Sequence, residues 1–386
     1  MTDTLTRSEA SPRLADCADT RLATRLSFLV AGLTMACWAP LVPFAKARVA
    51  VDDGALGLLL LCIGIGSIVA MPITAALAAR WGSKPMILGG GLGLVLLLPT
   101  LAVADSFALL ALALLGFGAA LGTIDVAVNV HAVEVERAAG RPLMSGFHAM
   151  FSIGGFAGAG GMTLLLANGV APLIATLAGS ALALLALAFA APRLLQAKGD
   201  PTPFVTPRGI VLLLALLAAA TFLVEGAILD WSALLISGAG LVEVAQGGLG
   251  YMIFAIAMTI GRLTGDRIVA ALGNGRVLFW GGLLTVAGLS LLLIAPIAWV
   301  AMAGFLLIGL GASNIVPVLF SLAGRQTAMP AALAVAALTT TGYAGILAGP
   351  AGIGFLSNHI GLHAAFWLLA VLMLLVPLAA RRATRG

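Results

Sequence analysis

Charge is what this chain is short of. Only 9% of its 386 residues are Asp, Glu, Lys or Arg, against 61% hydrophobic, where a soluble globular domain carries about 25% charged residues. The mean hydropathy of +1.14 points the same way. So little charge excludes a water-soluble domain and predicts an integral membrane protein. Cysteine is scarce too. Cys17, Cys37 and Cys62 lack metal-ligand spacing, which argues against a zinc site or a disulfide framework. His359 and His363 are four apart with no third ligand nearby, and read as residues of a solvated loop. No phosphate-cradling glycine loop occurs, so ATP-driven transport by this chain is not expected. No nucleophile–base arrangement stands out either, so we expect neither an enzyme nor a cofactor. No cleavage-type signal precedes the first long apolar run, and residues 1–21 read as a cytoplasmic tail.

What the chain has is apolar length. Twelve segments follow one another, with approximate spans 22–45, 55–79, 86–104, 107–130, 143–166, 170–190, 209–235, 247–270, 277–295, 298–321, 331–356 and 362–380. In lipid an unpaired backbone is too costly for anything but helix in runs of this kind. Segments 5 and 11 are glycine-rich and are candidates for kinks or close packing. With the N-terminus inside, all of the 20 basic residues except Lys46 and Arg48 fall on the cytoplasmic side, Arg262 and Arg267 among them. This bias fixes the orientation, and it accounts for a pI of 9.6 without any nucleic acid. Residues 192–208, PRLLQAKGDPTPFVTPR, read as a cytoplasmic linker between six-helix halves at 22–191 and 209–380, and 381–386 as a second cytoplasmic tail. The halves echo each other: LGFGA at 115–119 against IGLGA at 308–312, GGFAGAG at 154–160 against GILAGPAG at 345–352.

Against this background the polar residues stand out. Asp125 lies in segment 4, one helical turn before Asn129, on a stripe with Gly118 and Gly122. A charge in the hydrocarbon core costs about 3 kcal/mol on insertion scales. Asp125 falls about 27 Å along its helix from Phe107, so two readings stand: an acid facing a cavity, or one at the cytoplasmic end paired to an arginine of the charged loop with Glu134, Glu136, Arg137 and Arg141. Glu225 lies about 24 Å along segment 7, with nothing basic near it in sequence. It reads as a proton carrier or as a hydrogen-bonded structural glutamate, while Asp230 beside Trp231 reads as interfacial. Ser145, His148, Ser152 and Gly155 share a face of segment 5. His148 could bond substrate, partner Asp125 or cap a helix. Asn314, Thr339, Thr340 and Tyr343 offer hydrogen bonds from segments 10 and 11, and Trp38 and Tyr251 offer stacking surfaces.

These features resemble the major facilitator superfamily over the whole chain, which implies twelve transmembrane helices in two pseudo-symmetric halves with the substrate site between them near the midplane. The family loop between helices 2 and 3 is G-x-L-A-D-R-x-G-R-K. Here it is Ala75-Ala76-Leu77-Ala78-Ala79-Arg80-Trp81-Gly82-Ser83-Lys84, with alanine at the glycine and aspartate positions. The matching stretch 261–276, GRLTGDRIVAALGNGR, keeps Asp266 and Arg267. The resemblance makes Arg80, Gly82, Lys84, Asp266 and Arg267 a conformational gate that caps helix ends. Asp125-x-x-x-Asn129 followed by SGFHAMFSIGG (145–155) is similar to the fucose-permease branch, where the helix 4 acid is implicated in proton coupling. E-G-x-x-x-D-W (Glu225 to Trp231) and TTGY-x(6)-GP (Thr340 to Pro350) are similar to the YbjJ-like inner-membrane proteins. The helix 1 acid of fucose permease falls on Ala39, so sugar specificity does not carry over. The arginine of drug antiporters is missing from the apolar stretch Ala111–Leu115, and their helix 5 G-P pair is Gly158-Ala159 here.

The expectation is a monomeric, multi-pass transporter of the bacterial inner membrane, with both termini cytoplasmic and working by alternating access. Proton symport of a neutral polar solute such as a sugar leads: the strong intramembrane titratable groups are carboxylates and a histidine. With no intramembrane arginine or lysine expected beyond the cytoplasmic ends, a multiply anionic substrate is disfavoured, which leaves neutral polar molecules or cations. Proton antiport of a drug or metabolite and a non-transporting membrane sensor are the alternatives. Asp125, Glu225 and His148 are the proton-coupling candidates. Asn129, Ser152, Trp38, Asn314, Thr340, Tyr343 and Tyr251 are the substrate candidates. No metal is expected.

Overall fold

The computed structural model describes residues 17–51, 53–195, 207–243 and 248–385. The predicted tail is therefore seen only from Cys17, and the predicted linker only at its two ends. Among the described residues every regular element is helical. Twelve helices occur: α1 (Ala18–Val49), α2 (Asp53–Trp81), α3 (Ser83–Val103), α4 (Phe107–Ala139), α5 (Met144–Ala167), α6 (Pro172–Ala190), α7 (Ile210–Gly238), α8 (Gly248–Leu272), α9 (Asn274–Leu293), α10 (Ala298–Arg325), α11 (Ala331–Ile360) and α12 (Leu362–Ala383). Eleven are long and apolar enough to cross a membrane, and α11 adds a shorter apolar stretch, Ala331–Ile346. Large apolar side chains point outward along them, Leu96, Leu112, Leu185 and Leu378 among the most exposed, as lipid-facing surface requires.

Local chemistry sets the ends. The Sγ of Cys17 accepts from the Thr20 N–H at 3.3 Å, so α1 starts at Ala18, inside the predicted tail. Ser106 caps α4 through the Leu109 N–H at 3.4 Å. Gly140, with φ 61, closes α4 by donating to the Glu136 and Arg137 carbonyls. The charged loop predicted after Asn129 is therefore mostly helix: Glu134, Glu136 and Arg137 lie in α4, and only Arg141 follows it. The acidic and basic residues of that stretch are good helix formers whatever their charge.

The helix interruptions come from proline, not glycine. Helix α10 breaks at Ser313–Asn314, four residues before Pro317, and α12 breaks at Leu374, just after the residue four before Pro377. A proline cannot donate to the carbonyl four residues back, and its ring clashes there. Around Pro40 helix α1 narrows to a 3-10 turn, Ala39–Leu41. The glycine-rich α5 and α11 run unbroken.

The residues group into two compact units, split at 141/142, 149/150 and 205/206, so that the start of α5, residues 142–149, belongs with the second unit. In the first unit α4 lies on α2, where a Cβ on Gly118 or Gly122 would run into the backbone at Ile63 or Ser67. Ser67 ties the pair by donating to the Gly118 carbonyl at 2.8 Å. In the second unit α10 approaches α8 in the same way, through Gly309 against Phe254. Single glycines make the corresponding tight links: Gly82 (φ 86) joins α2 to α3 and Gly273 (φ 79) joins α8 to α9. That backbone region favours glycine.

Candidate functional site

In the first unit the polar feature of α4 folds back on itself. Asn129 Nδ2 donates to the Asp125 carbonyl at 2.9 Å and to its Oδ1 at 3.3 Å. Asn129 is buried and Asp125 half-buried, and Asn129 Oδ1 has no hydrogen-bond partner among the described residues. Because α4 continues to Ala139, Asp125 stands about 27 Å from one end and about 21 Å from the other. The helix end is about two and a half turns further away than the span 107–130 implies. Ser152 is half-buried on α5. Trp38 is buried at the proline turn of α1, its Nε1 without a hydrogen-bond partner.

A residue of this unit that sequence reasoning passed over is His131. It is fully buried. Its Nε2 accepts the Leu195 N–H at 3.1 Å, so the ring proton sits on Nδ1, 3.1 Å from the Thr24 hydroxyl. That hydroxyl donates in turn to the Thr20 carbonyl at 2.9 Å. His131 thus joins α4, α1 and the chain leaving α6. Its only signal in the sequence was a histidine inside an apolar run.

The second unit holds the charged centre. Glu225 on α7 faces Arg262 on α8, Oε2 to Nη2 3.8 Å, with side chains 17% and 9% exposed. Glu225 Oε1 is buried without a hydrogen-bond partner. Arg262 lies about 21 Å from Gly248 and about 15 Å from Leu272 along α8. The sequence counts Arg262 with the cytoplasmic set and predicts no intramembrane arginine beyond the helix ends. Instead Arg262 is buried inside an apolar helix, and it gives Glu225 the basic neighbour it lacks in sequence. Tyr251, exposed on α8, lies within electrostatic range of both charges. Their spacing in sequence is three helical turns, which puts Tyr251 and Arg262 on one face. Asp230 is exposed beyond Glu225 on α7.

On either side of Arg262 on α8, Gly261 and Gly265 press against the break in α10. Asn314 Nδ2 donates to the Gly261 carbonyl at 3.0 Å and to Ser313 Oγ at 3.0 Å. A Cβ on Gly265 would overlap Asn314 and crowd Ser145. The amide of Asn314 is thus committed to the α8–α10 junction, leaving Oδ1 buried without a partner. Asp266 accepts the Gly146 N–H at 3.1 Å, placing a carboxylate on the first turn of α5, where the helix dipole favours it. Asp266 and exposed Arg267 are about one and a half turns inside α8 rather than in a loop, since Gly273 is the whole α8–α9 connection. In the other gate stretch, Arg80 ends α2 and stacks over Trp81 at 5.7 Å, and Lys84 opens α3.

His148 Nδ1 lies 3.0 Å from the Met144 carbonyl, and the ring packs 5.5 Å from that of Phe320. Arg262 acts on His148 electrostatically, so the structure sets His148 and Glu225 around one arginine. On α11, Thr339 bonds its own helix at the Val335 carbonyl, while Thr340 and Tyr343 are half-buried. His359 and His363 are helical. His359 bonds the Phe355 carbonyl within α11, and His363 reaches the Leu293 carbonyl that ends α9, at 2.8 Å. The solvated loop expected for them reduces to Gly361.

Residues 26–327 match the model of the Major Facilitator Superfamily. The chain is 51% identical over 368 residues to an uncharacterised MFS-type transporter of Yersinia pestis, covering 95% of this chain and 96% of that one. It is 31% identical over 358 residues to an uncharacterised transporter of Sinorhizobium fredii, covering 92% and 95%. Among solved structures it is similar to the MFS transporter FucP in the outward conformation, with a TM-score of 0.80 at 16% identity over 96% of this chain and 100% of that chain.

Proposed function

Since the chain belongs to the Major Facilitator Superfamily and is a multi-pass membrane transporter of that family, we propose that it is a proton-coupled secondary transporter, a symporter of a neutral polar solute such as a sugar, working by alternating access. The observation that carries this is the Glu225–Arg262 pair, 3.8 Å apart and held within transmembrane helices. A proton on the unpartnered Glu225 oxygen turns the carboxylate into a neutral acid and releases Arg262 from its counter-ion. The two protonation states therefore favour different arrangements of α7 and α8, which is what coupling requires. Asp125 and His148 are the further proposed protonation sites.

The intramembrane arginine removes one argument against anionic substrates. The pair neutralises itself, however, so the centre still fits a neutral solute best. FucP, described as a fucose:proton symporter, agrees with this reading. The proposed substrate contacts are Asn129, Ser152 and Trp38 in the first unit and Tyr251, Asn314, Thr340 and Tyr343 in the second. Arg80, Gly82, Lys84, Asp266 and Arg267 are proposed as the gate. We further propose a monomer in a bacterial inner membrane with both termini cytoplasmic.

The test is uptake of labelled sugars into proteoliposomes with an imposed pH gradient. The wild type is expected to accumulate solute when the outside is acidic. Glu225→Gln is expected to keep counterflow exchange at zero gradient and to lose accumulation. Accumulation by Glu225→Gln at the wild-type level would remove Glu225 from the coupling, and the same outcome for Asp125→Asn would remove Asp125.

A further inference from the structure

The second unit carries a crevice that the transport reading does not use. It lies where α7 begins and α12 ends, has a volume of about 480 Å³, and is lined by Ile210, Leu212, Leu213 and Leu216 on one side and by Arg382 and Arg385 on the other. Its wall is apolar and faces lipid: Leu212 is 43% and Leu216 52% exposed. Its mouth is basic, and among the described residues no carboxylate pairs with Arg382 or Arg385. Arg208, also exposed, comes just before Gly209 at the same end.

We propose that this crevice is a binding site for one anionic phospholipid, its phosphodiester held between Arg382 and Arg385 and an acyl chain laid along Leu212 and Leu216. The charges fit that ligand: two guanidiniums offer paired donors to phosphate oxygens, and among the described residues no carboxylate pairs with either. The leucines select the source. A free phosphate has no use for an apolar wall, whereas a lipid places headgroup and chain in this order along a helix that leaves the membrane. A zwitterionic lipid is a poorer fit, because its amine brings a positive charge to an already basic mouth. The lipid would fasten the last turns of α12 to the first turns of α7 and so brace the end of the unit. In the orientation proposed above, this is the cytoplasmic leaflet.

Native mass spectrometry of the full chain, released from nanodiscs holding equal phosphatidylglycerol and phosphatidylcholine, tests this directly. Retention of one phosphatidylglycerol in preference to phosphatidylcholine is expected, undiminished by inorganic phosphate in the release buffer. Taking about fivefold for each arginine in contact with the phosphate, Arg382→Gln/Arg385→Gln is expected to lose roughly twenty-five-fold in retention. Arg381→Gln removes one charge on the same turn but outside the crevice, and is expected to retain the lipid. Equal retention of both lipids, displacement by inorganic phosphate, or equal losses from Arg381→Gln and Arg382→Gln would each overturn the proposal. The last outcome would mean general surface attraction in place of a site.

Discussion

Glu225 and Arg262 show how much one side chain changes when its neighbour is known. In sequence they are 37 residues apart, and the arginine follows a glycine in a stretch that reads like a helix end. Only packing of α7 on α8 brings them together, so neither the pair nor the depth of Arg262 was legible. A buried pair is a poor stabiliser compared with apolar residues, but removing one partner leaves a charge stranded. Arg262→Met is therefore expected to lower unfolding free energy in detergent by about 3 kcal/mol, and Glu225→Leu/Arg262→Met to recover most of that loss. A thermal or denaturant melt reads both, and a double variant no more stable than the single would mean the two residues do not act as a unit. His131 is the second case. Its role depends on a backbone N–H 64 residues away, which no local pattern announces. His131→Ala leaves the Leu195 N–H buried and unpaired, at a cost of about 1–3 kcal/mol. Hydrogen exchange at amide 195 is expected to rise along with that loss. Unchanged protection there would show that the amide finds another acceptor.

Helix by helix, the sequence was a reliable guide to existence and a poor one to register. All twelve apolar segments became helices because lipid leaves the backbone no other choice. The ends were less legible: α4 runs on through Ala139 because Glu134 to Arg137 suit a helix as well as they suit a loop. The repeated letters LGFGA and IGLGA mislead in a different way. Gly116 meets Leu97 of α3 and Gly118 meets α2, whereas Gly309 meets α8 and Gly311 meets Thr285 of α9. Counted along the repeat, the first glycine faces the third helix in one half and the second helix in the other. The echo thus reflects a shared need for small residues, not equivalent positions. That need is testable. Gly118→Ala puts a methyl group into the α2 backbone and is expected to cost about 1–3 kcal/mol. Gly161→Ala on α5, where no atom lies within 4 Å of the new Cβ, is expected to be neutral or to gain up to about 1 kcal/mol from helix propensity. Melting temperatures of the two variants in one detergent decide it, and equal losses would count against the close-packing account.

For the whole molecule, orientation rests on where the basic residues end up. Moving Arg262 into the membrane takes one residue from the cytoplasmic set without adding any to the outer one. Arg48, one of the two basic residues on the other side, has a local use: its Nε donates to the Ala104 carbonyl at 2.8 Å and its Nη2 to the Leu101 carbonyl at 2.6 Å. A cation on the last carbonyls of α3 is held by the helix dipole, so its presence there says little about sidedness. What remains is Lys46 against the arginines grouped at the opposite helix ends, Arg80, Arg276, Arg325, Arg381 and Arg382 among them. In the orientation proposed from that asymmetry, Asn168, between α5 and α6, lies outside and Thr384, after α12, lies inside. In a Cys17→Ser background, Asn168→Cys is expected to react with a membrane-impermeant maleimide in intact cells with a permeabilised outer membrane. Thr384→Cys is expected to react only after lysis. The reverse pattern would invert the orientation, move the lipid crevice to the outer leaflet, and require the pH gradient in the uptake assay to be read with the opposite sign.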